Sequence, residues 1–370
     1  MKIGVLTSSR ADYGIYLPLL KKINQDDFFE LEIIAFGTHL SKSHGFTLNE
    51  IEKGNYSKIH CISSLIANDD EQDIATSYAL TALKFADFWQ HNKFDLVFCL
   101  GDRFEMSAAV QAGIPFNVKF AHLHGGETTL GAIDNIYRHQ ITLASNLHFT
   151  AGELFSDRVI ELIGHNKNVY TVGSLSLNEI EKFQPINKTE FFEKFKLPNK
   201  DFALITFHPE TVNTEMNQHF ASEMRKALSQ VTSKLYLVIT MPNADTMGSV
   251  FRMEIEQLKN EFSTQVRCIE NFGKENYFSA MYYAKLLIGN TSSGIIEAAS
   301  VGKYVVNVGD RQKGRMQSDN IINTPFNHQN IVEAVDKAIV NKTFTGKNKY
   351  YNQHAADLII HHIKQFNEIL

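Results

Sequence analysis

Along the chain, short apolar runs rich in β-branched and aromatic residues alternate with longer stretches of helical period. That alternation is the pattern of βαβ units and parallel sheets. In the first half it predicts strands at KIGVLTS, LEIIAFG, LVFCLGD, KFAHLHG and LHFTAG. Helices are predicted between them at GIYLPLLKKINQ, DIATSYALTALKFADFWQHN, SAAVQAG and YRHQITLAS. A polar patch, KFQPINKTEFFEKFKLPNKD at residues 182–201, interrupts the pattern and reads as a linker. The pattern then restarts, with strands at FALITFH, LYLVIT, QVRCIEN, LLIGN and YVVNVG. At 370 residues the chain is too long for one ordinary core. The expectation is two doubly wound α/β domains in series, one over residues 1–181 and one over 182–349, with a last helix over 350–370.

Open parallel sheets bind ligands beyond the carboxyl ends of their strands, and the polar loops of this chain fall there. TSSRADYG follows the first strand, GDRFE follows LVFCL and HLHGGE ends the next; FHPET, MPNADTMGS and GNTSSG follow strands of the second half. Loops from both halves lead to the expectation of an interdomain cleft. GNTSSGIIEAASVG crowds small polar residues where a strand hands over to a helix, and the first N–H groups of a helix suit an anion. Ser292 and Ser293 lie at that start and Glu297 a turn further in, placed either to hold a diphosphate and a ribose or simply to cap a helix. Arg10, Arg103 and Arg311 each occupy a loop after a strand, where guanidinium groups contact phosphate bidentately.

Composition narrows the partners. The formal net charge of −5 gives no electrostatic footprint for nucleic acid or an anionic membrane. Three scattered cysteines, Cys61, Cys99 and Cys268, argue against a disulfide framework or zinc site and fit a reducing cytoplasm. The start MKIGVLTSSR has no secretory leader pattern, and no apolar run is long enough to span a bilayer. No GxGxxG opens a helix, so a nicotinamide cofactor is not expected, and GDRQKGRM keeps only part of a P-loop spacing. His122 and His124 can share a strand face as a metal pair, but without a convincing third ligand no metal is expected.

TSSRADYGIYLPLL, GDRFE, HLHGGE followed by IDNIYRH, HPET, PNAD and GNTSSGIIEAASVGKYVVNVGDRQKGR occur in order over residues 7–315. Together they resemble the hydrolysing UDP-N-acetylglucosamine 2-epimerases of sialic-acid biosynthesis. The resemblance implies a GT-B architecture of two Rossmann-like domains, with the C-terminal helix packing back on the first. It implies conversion of UDP-N-acetylglucosamine and water to N-acetylmannosamine and UDP, without cofactor, in a cytoplasmic homodimer or homotetramer. By the same carry-over, Arg10, Ser292, Ser293 and Arg311 would hold the diphosphate, with Arg103 on the phosphate side and Ala11 in the UDP-sugar site; Asn243 and Phe272 would lie near the nucleotide or the closing cleft, and Glu297 on the ribose. Asp102 and Asp134 match catalytic carboxylates, and His208 of HPET matches a histidine near phosphate and sugar. Animal members have a carboxylate where this chain has His124, so the acid and base roles are open between His124 and Glu127. Relatives in legionaminic-acid synthesis act on UDP-N,N'-diacetylbacillosamine, which leaves the sugar open. A GT-B glycosyltransferase and a non-catalytic UDP-sugar sensor are the readings from other classes.

Overall fold

The computed structural model describes residues 1–42, 46–66, 70–130, 133–210, 214–242, 247–270 and 272–367. The chain forms two compact units, one of residues 1–127, 134–179 and 350–370, the other of residues 128–133 and 180–349. Residues 128–133, inside the range expected for the first domain, therefore group with the second, where the Leu130 N–H donates to the Lys313 carbonyl at 3.0 Å.

The first unit holds a seven-stranded sheet: β1 (Lys2–Thr7), β2 (Glu30–Phe36), β3 (Lys58–Ile62), β4 (Leu96–Leu100), β5 (Phe120–Leu123), β6 (Leu147–Thr150) and β7 (Val169–Thr171). The spatial order is β3-β2-β1-β4-β5-β6-β7 and every pairing is parallel. Ile3, Val5, Ile33, Phe98 and Phe149 enter one buried cluster; Leu6, Ile34, Val97, Cys99 and Phe120 enter another. Alternate residues of each strand thus serve opposite faces, as they must when helices cover both. The helix Ala355–Asn367 packs Ala355, Ala356, Ile359 and Ile363 into the first of these clusters.

The second unit repeats the plan with β8 (Phe202–Thr206), β9 (Tyr236–Thr240), β10 (Val266–Ile269), β11 (Leu286–Gly289), β12 (Val305–Val308) and β13 (Ile321–Thr324). They form an all-parallel sheet in the order β10-β9-β8-β11-β12-β13. Strand order reverses between β1 and β4 in one sheet and between β8 and β11 in the other, and such switch points are where doubly wound sheets take ligands. No helix among the described residues is long and apolar enough to cross a membrane.

Candidate active site

In the first unit the loop after β1 is fixed by its own side chains. Ser9 caps the helix Arg10–Asn24 in a capping box with Asp12. The Asp12 carboxylate accepts from the Ser8 N–H at 2.9 Å, the Ser9 N–H at 3.1 Å and both serine hydroxyls at 2.8 Å. Orphan donors of the helix start are thereby met within the loop. Arg10 is the first helical residue; burial lowers its pKa from the usual arginine value and Glu50 offsets part of that. Ala11, next to it, is exposed.

Across the switch point, β4 ends at Leu100, and Gly101 leads on to Asp102. The Asp102 carboxylate pairs with Arg138, a guanidinium only 1% exposed on the helix Asp134–Ala144. Arg138 also donates Nη1–H to the His124 carbonyl at 2.6 Å, so one buried cation ties the ends of β4 and β5 together. His124 adopts φ +63°, a left-handed conformation that costs a side-chain-bearing residue about 1–2 kcal/mol. Gly126, at φ +76°, completes the turn; a Cβ there would lie 2.2 Å from the Phe155 carbonyl oxygen, so only glycine fits.

The turn brings His124 Nδ1 within 2.6 Å of Oε1 of Glu127, itself 1% exposed. An ionised carboxylate only accepts, so Nδ1 carries a proton, and in the neutral ring Nε2 presents a lone pair. That Nε2 is buried and has no hydrogen-bond partner among the described residues. A histidine oriented by a carboxylate through one nitrogen, with the other open, is equipped as a general base and then acid. Asp134 begins the helix one turn before Arg138, which places the two side chains on the same face. Arg103 donates to Glu105, Nη2 to Oε1 at 3.0 Å and Nε to Oε2 at 3.2 Å. His122 is fully buried within β5 while His124 lies beyond its end, and among the described residues no group of three or more His, Cys, Asp or Glu side chains is arranged to hold a metal ion.

In the second unit β11 ends at Gly289, φ +144°, where a Cβ would lie 1.8 Å from the Thr206 carbonyl oxygen. Glycine there lets the ends of β8 and β11 approach closely. Asn290 then clamps the other loop: its Oδ1 accepts from the His208 N–H at 2.7 Å and its Nδ2 donates to the His208 carbonyl at 2.8 Å. Gln312 in turn donates to the Asn290 carbonyl at 2.8 Å. Glu210, two residues after His208, accepts from the Asp310 N–H at 3.0 Å and so holds the loop that carries Arg311. Burial raises the Glu210 pKa, and that backbone donor opposes the rise.

Thr291 precedes the short helix Ser292–Ile296, with Ser293 Oγ 2.7 Å from the Tyr277 hydroxyl and Glu297 buried at the helix end. Phe272 packs among aromatic side chains, its ring stacked on Phe191 at 6.0 Å between centroids and against Phe195 at 4.7 Å. Asn243 lies outside the described residues. Seven of the expected residues are brought together in two groups. Asp102, His124 and Glu127 are joined through Arg138, and the loops of His208, Ser292, Ser293 and Arg311 are joined through Asn290, Gln312 and Glu210.

Arg138, Asn290, Glu210 and Gln312 are the residues that reading by motif missed. Arg138 carried one signal, its position four residues after Asp134, one helical turn on. Asn290 carried another, a side-chain amide directly after an apolar strand, where it can bond both a donor and an acceptor of a neighbouring loop.

Two parallel α/β units whose polar loops gather at strand-order reversals define a GT-B-like protein with Rossmann-like halves. Residues 21–364 match the model of the UDP-N-acetylglucosamine 2-epimerase family, and the chain belongs to that family. It is 35% identical to the GDP/UDP-N,N'-diacetylbacillosamine 2-epimerase (hydrolyzing) of Campylobacter jejuni, covering 88% of this chain and 85% of that protein. It is 31% identical to the polysialic acid biosynthesis protein P7 of Escherichia coli, covering 99% and 94%. Among solved structures, the UDP-GlcNAc 2-epimerase of Neisseria meningitidis bound to UDP-GlcNAc superposes with a TM-score of 0.80 over 99% of this chain and 100% of that one. Its sequence identity is 16%, so it speaks for the fold.

Proposed function

We propose that this protein is a hydrolysing 2-epimerase that converts UDP-N-acetylglucosamine and water into N-acetylmannosamine and UDP, in nonulosonic-acid synthesis. The observation that carries the reading is the group of half-buried Asp102 with buried Arg138, His124 and Glu127, with an open imidazole nitrogen at its centre. The C2 hydrogen of the substrate is not next to a carbonyl, so no enolate can stabilise its removal and departure of UDP from C1 must lead. The C1–O bond breaks with its electron pair going to UDP, and positive charge develops at C1 and the ring oxygen. Asp102 stabilises that charge, as a fixed anion does in a water-poor site.

His124 Nε2 then takes the C2 proton, giving a glycal. Water adds its hydroxyl to C1 and a proton reaches C2 from the opposite face, which inverts that centre. Arg10, Arg311, Ser292, Ser293 and the N–H groups beside them are proposed to hold the departing diphosphate. Asp134 and His208 complete the sugar and phosphate contacts, with Glu297 at the ribose. The proposal includes a cytoplasmic location and a homodimer or homotetramer as the working form.

A second reading, UDP-N,N'-diacetylbacillosamine as substrate, is favoured by the name of the Campylobacter jejuni relative. Steady-state kinetics on both nucleotide sugars, without any acceptor, separate them. The expected result is UDP release from both, with kcat/KM at least about tenfold higher for UDP-N-acetylglucosamine, the scale on which a pocket discriminates small substituents. The reverse preference moves the assignment to the second sugar. Failure to release UDP from either rules out a hydrolysing epimerase.

A further inference from the structure

We infer that His122 is a positioning residue for this reaction, an imidazole that donates from Nε2 and locks the Gly101–Asp102 turn to the helix bearing Arg138. The inference rests on the assignment of Asp102 and His124 to the chemistry. His122 is fully buried on β5. Its Nε2 lies 2.9 Å from the Gly101 carbonyl oxygen and its Nδ1 lies 3.1 Å from Thr142 Oγ1. Gly101 directly precedes Asp102, and Thr142 sits one helical turn after Arg138. One ring therefore bridges the two elements whose side chains form the Asp102–Arg138 pair.

The same imidazole also supports the third element of the group. A Cβ built on Gly125 would lie 3.1 Å from His122 Nδ1 and 3.3 Å from Thr142 Oγ1, so the Gly125–Gly126 turn rests on the His122–Thr142 contact. That turn separates His124 from Glu127. The glycine is what lets the backbone come so close.

The Nε2 proton follows from the partner. A carbonyl oxygen only accepts, so Nε2 must carry the hydrogen. If the ring is neutral, Nδ1 is an acceptor and must receive the Thr142 hydroxyl hydrogen. That hydroxyl also lies 2.9 Å from the Arg138 carbonyl and has one hydrogen to give, so a protonated ring would be the alternative arrangement. Burial favours the neutral ring, pushing the His122 pKa down to about 3, with the Gly101 carbonyl opposing the shift and His148, Arg138 and His124 adding to it. The neutral ring is not one of the groups proposed to exchange protons with the sugar. Its effect is on geometry, where a displacement of about 1 Å costs roughly a hundredfold in rate.

Two variants and one spectrum test this. His122→Leu keeps bulk and removes both hydrogen bonds; kcat is expected to fall about a hundredfold with KM and the UDP dissociation constant within about twofold of wild type. His122→Gln places an amide donor near the position of Nε2 and is expected to recover kcat to within about tenfold of wild type. Nitrogen-15 NMR of histidine-labelled protein is expected to show His122 neutral, with its proton on Nε2, throughout about pH 5 to 8. His122→Leu turning over like wild type, or His122→Gln folded but as slow as His122→Leu, overturns the positioning role. So does an Nε2 without its proton, since the bond to the Gly101 carbonyl needs that donor. Wild-type protein that releases no UDP would instead refute the epimerase assignment, and the spectrum still decides the tautomer.

Discussion

Replacing His124 with alanine is expected to lower kcat by about 10²- to 10⁴-fold, the usual worth of a general base, while UDP binding stays within about twofold of wild type. The expectation comes from the protonation pattern of the buried pair. Glu127 accepts from Nδ1 at 2.6 Å, which leaves Nε2 as the basic nitrogen, and that nitrogen has no partner among the described residues. Glu127→Gln is expected to lose part of the same activity for a different reason. A side-chain amide can donate as well as accept, so it no longer forces the proton onto Nδ1, and it cannot stabilise the imidazolium formed once the C2 proton is taken. Stopped turnover measurements with calorimetric UDP titration check both. Full activity in His124→Ala would assign the base elsewhere, with Asp134 the next carboxylate in place.

Asp102→Asn and Arg311→Ala are expected to fail in opposite ways. Asp102→Asn keeps the side-chain shape but removes the charge assigned to the oxocarbenium-like state, so turnover should fall about a hundredfold or more with UDP affinity retained. It also leaves Arg138, 1% exposed, facing a neutral amide, so some loss of stability should accompany the kinetic effect. Arg311→Ala removes the charge-assisted diphosphate contact proposed for that side chain, of a kind worth about 1.5 to 3 kcal/mol. UDP affinity should then fall roughly ten- to a hundredfold. Calorimetry and initial rates on the two variants read both quantities. Weakened UDP binding in Asp102→Asn, or unchanged binding in Arg311→Ala, would contradict the division of labour.

The interior of each sheet was readable because a strand covered on both faces must be a continuous apolar run. LVFCL and FALIT are fully buried and both were recognised as strands. The strands that escaped notice are all at edges. KIHCI of β3 and IINT of β13 are partly exposed and mix polar with apolar residues, and β7 is only VYT. An edge strand has one neighbour and weaker burial, so its sequence is less constrained.

The loops that carry the candidate site were legible for a related reason: small, polar and charged residues directly after an apolar run stand out. What those residues touch was not legible. Nothing in the string GDRFE tells that Glu105 is buried and accepts from Arg103 in a two-point pair. Arg138 was passed over inside YRHQITLAS as an ordinary polar position on a helix. Only the packing of the helix Asp134–Ala144 against the ends of β4 and β5 makes it the cation that joins Asp102 to His124.

The central claim, elimination of UDP followed by hydration with inversion at C2, is tested most directly by running the reaction in heavy water and reading the sugar by NMR. The account predicts free UDP and a 2-epimerised sugar with deuterium at C2, because the original hydrogen leaves to His124 and solvent supplies its replacement. A sugar released with its C2 hydrogen retained and its configuration unchanged would mean simple hydrolysis of the nucleotide sugar, and would contradict it.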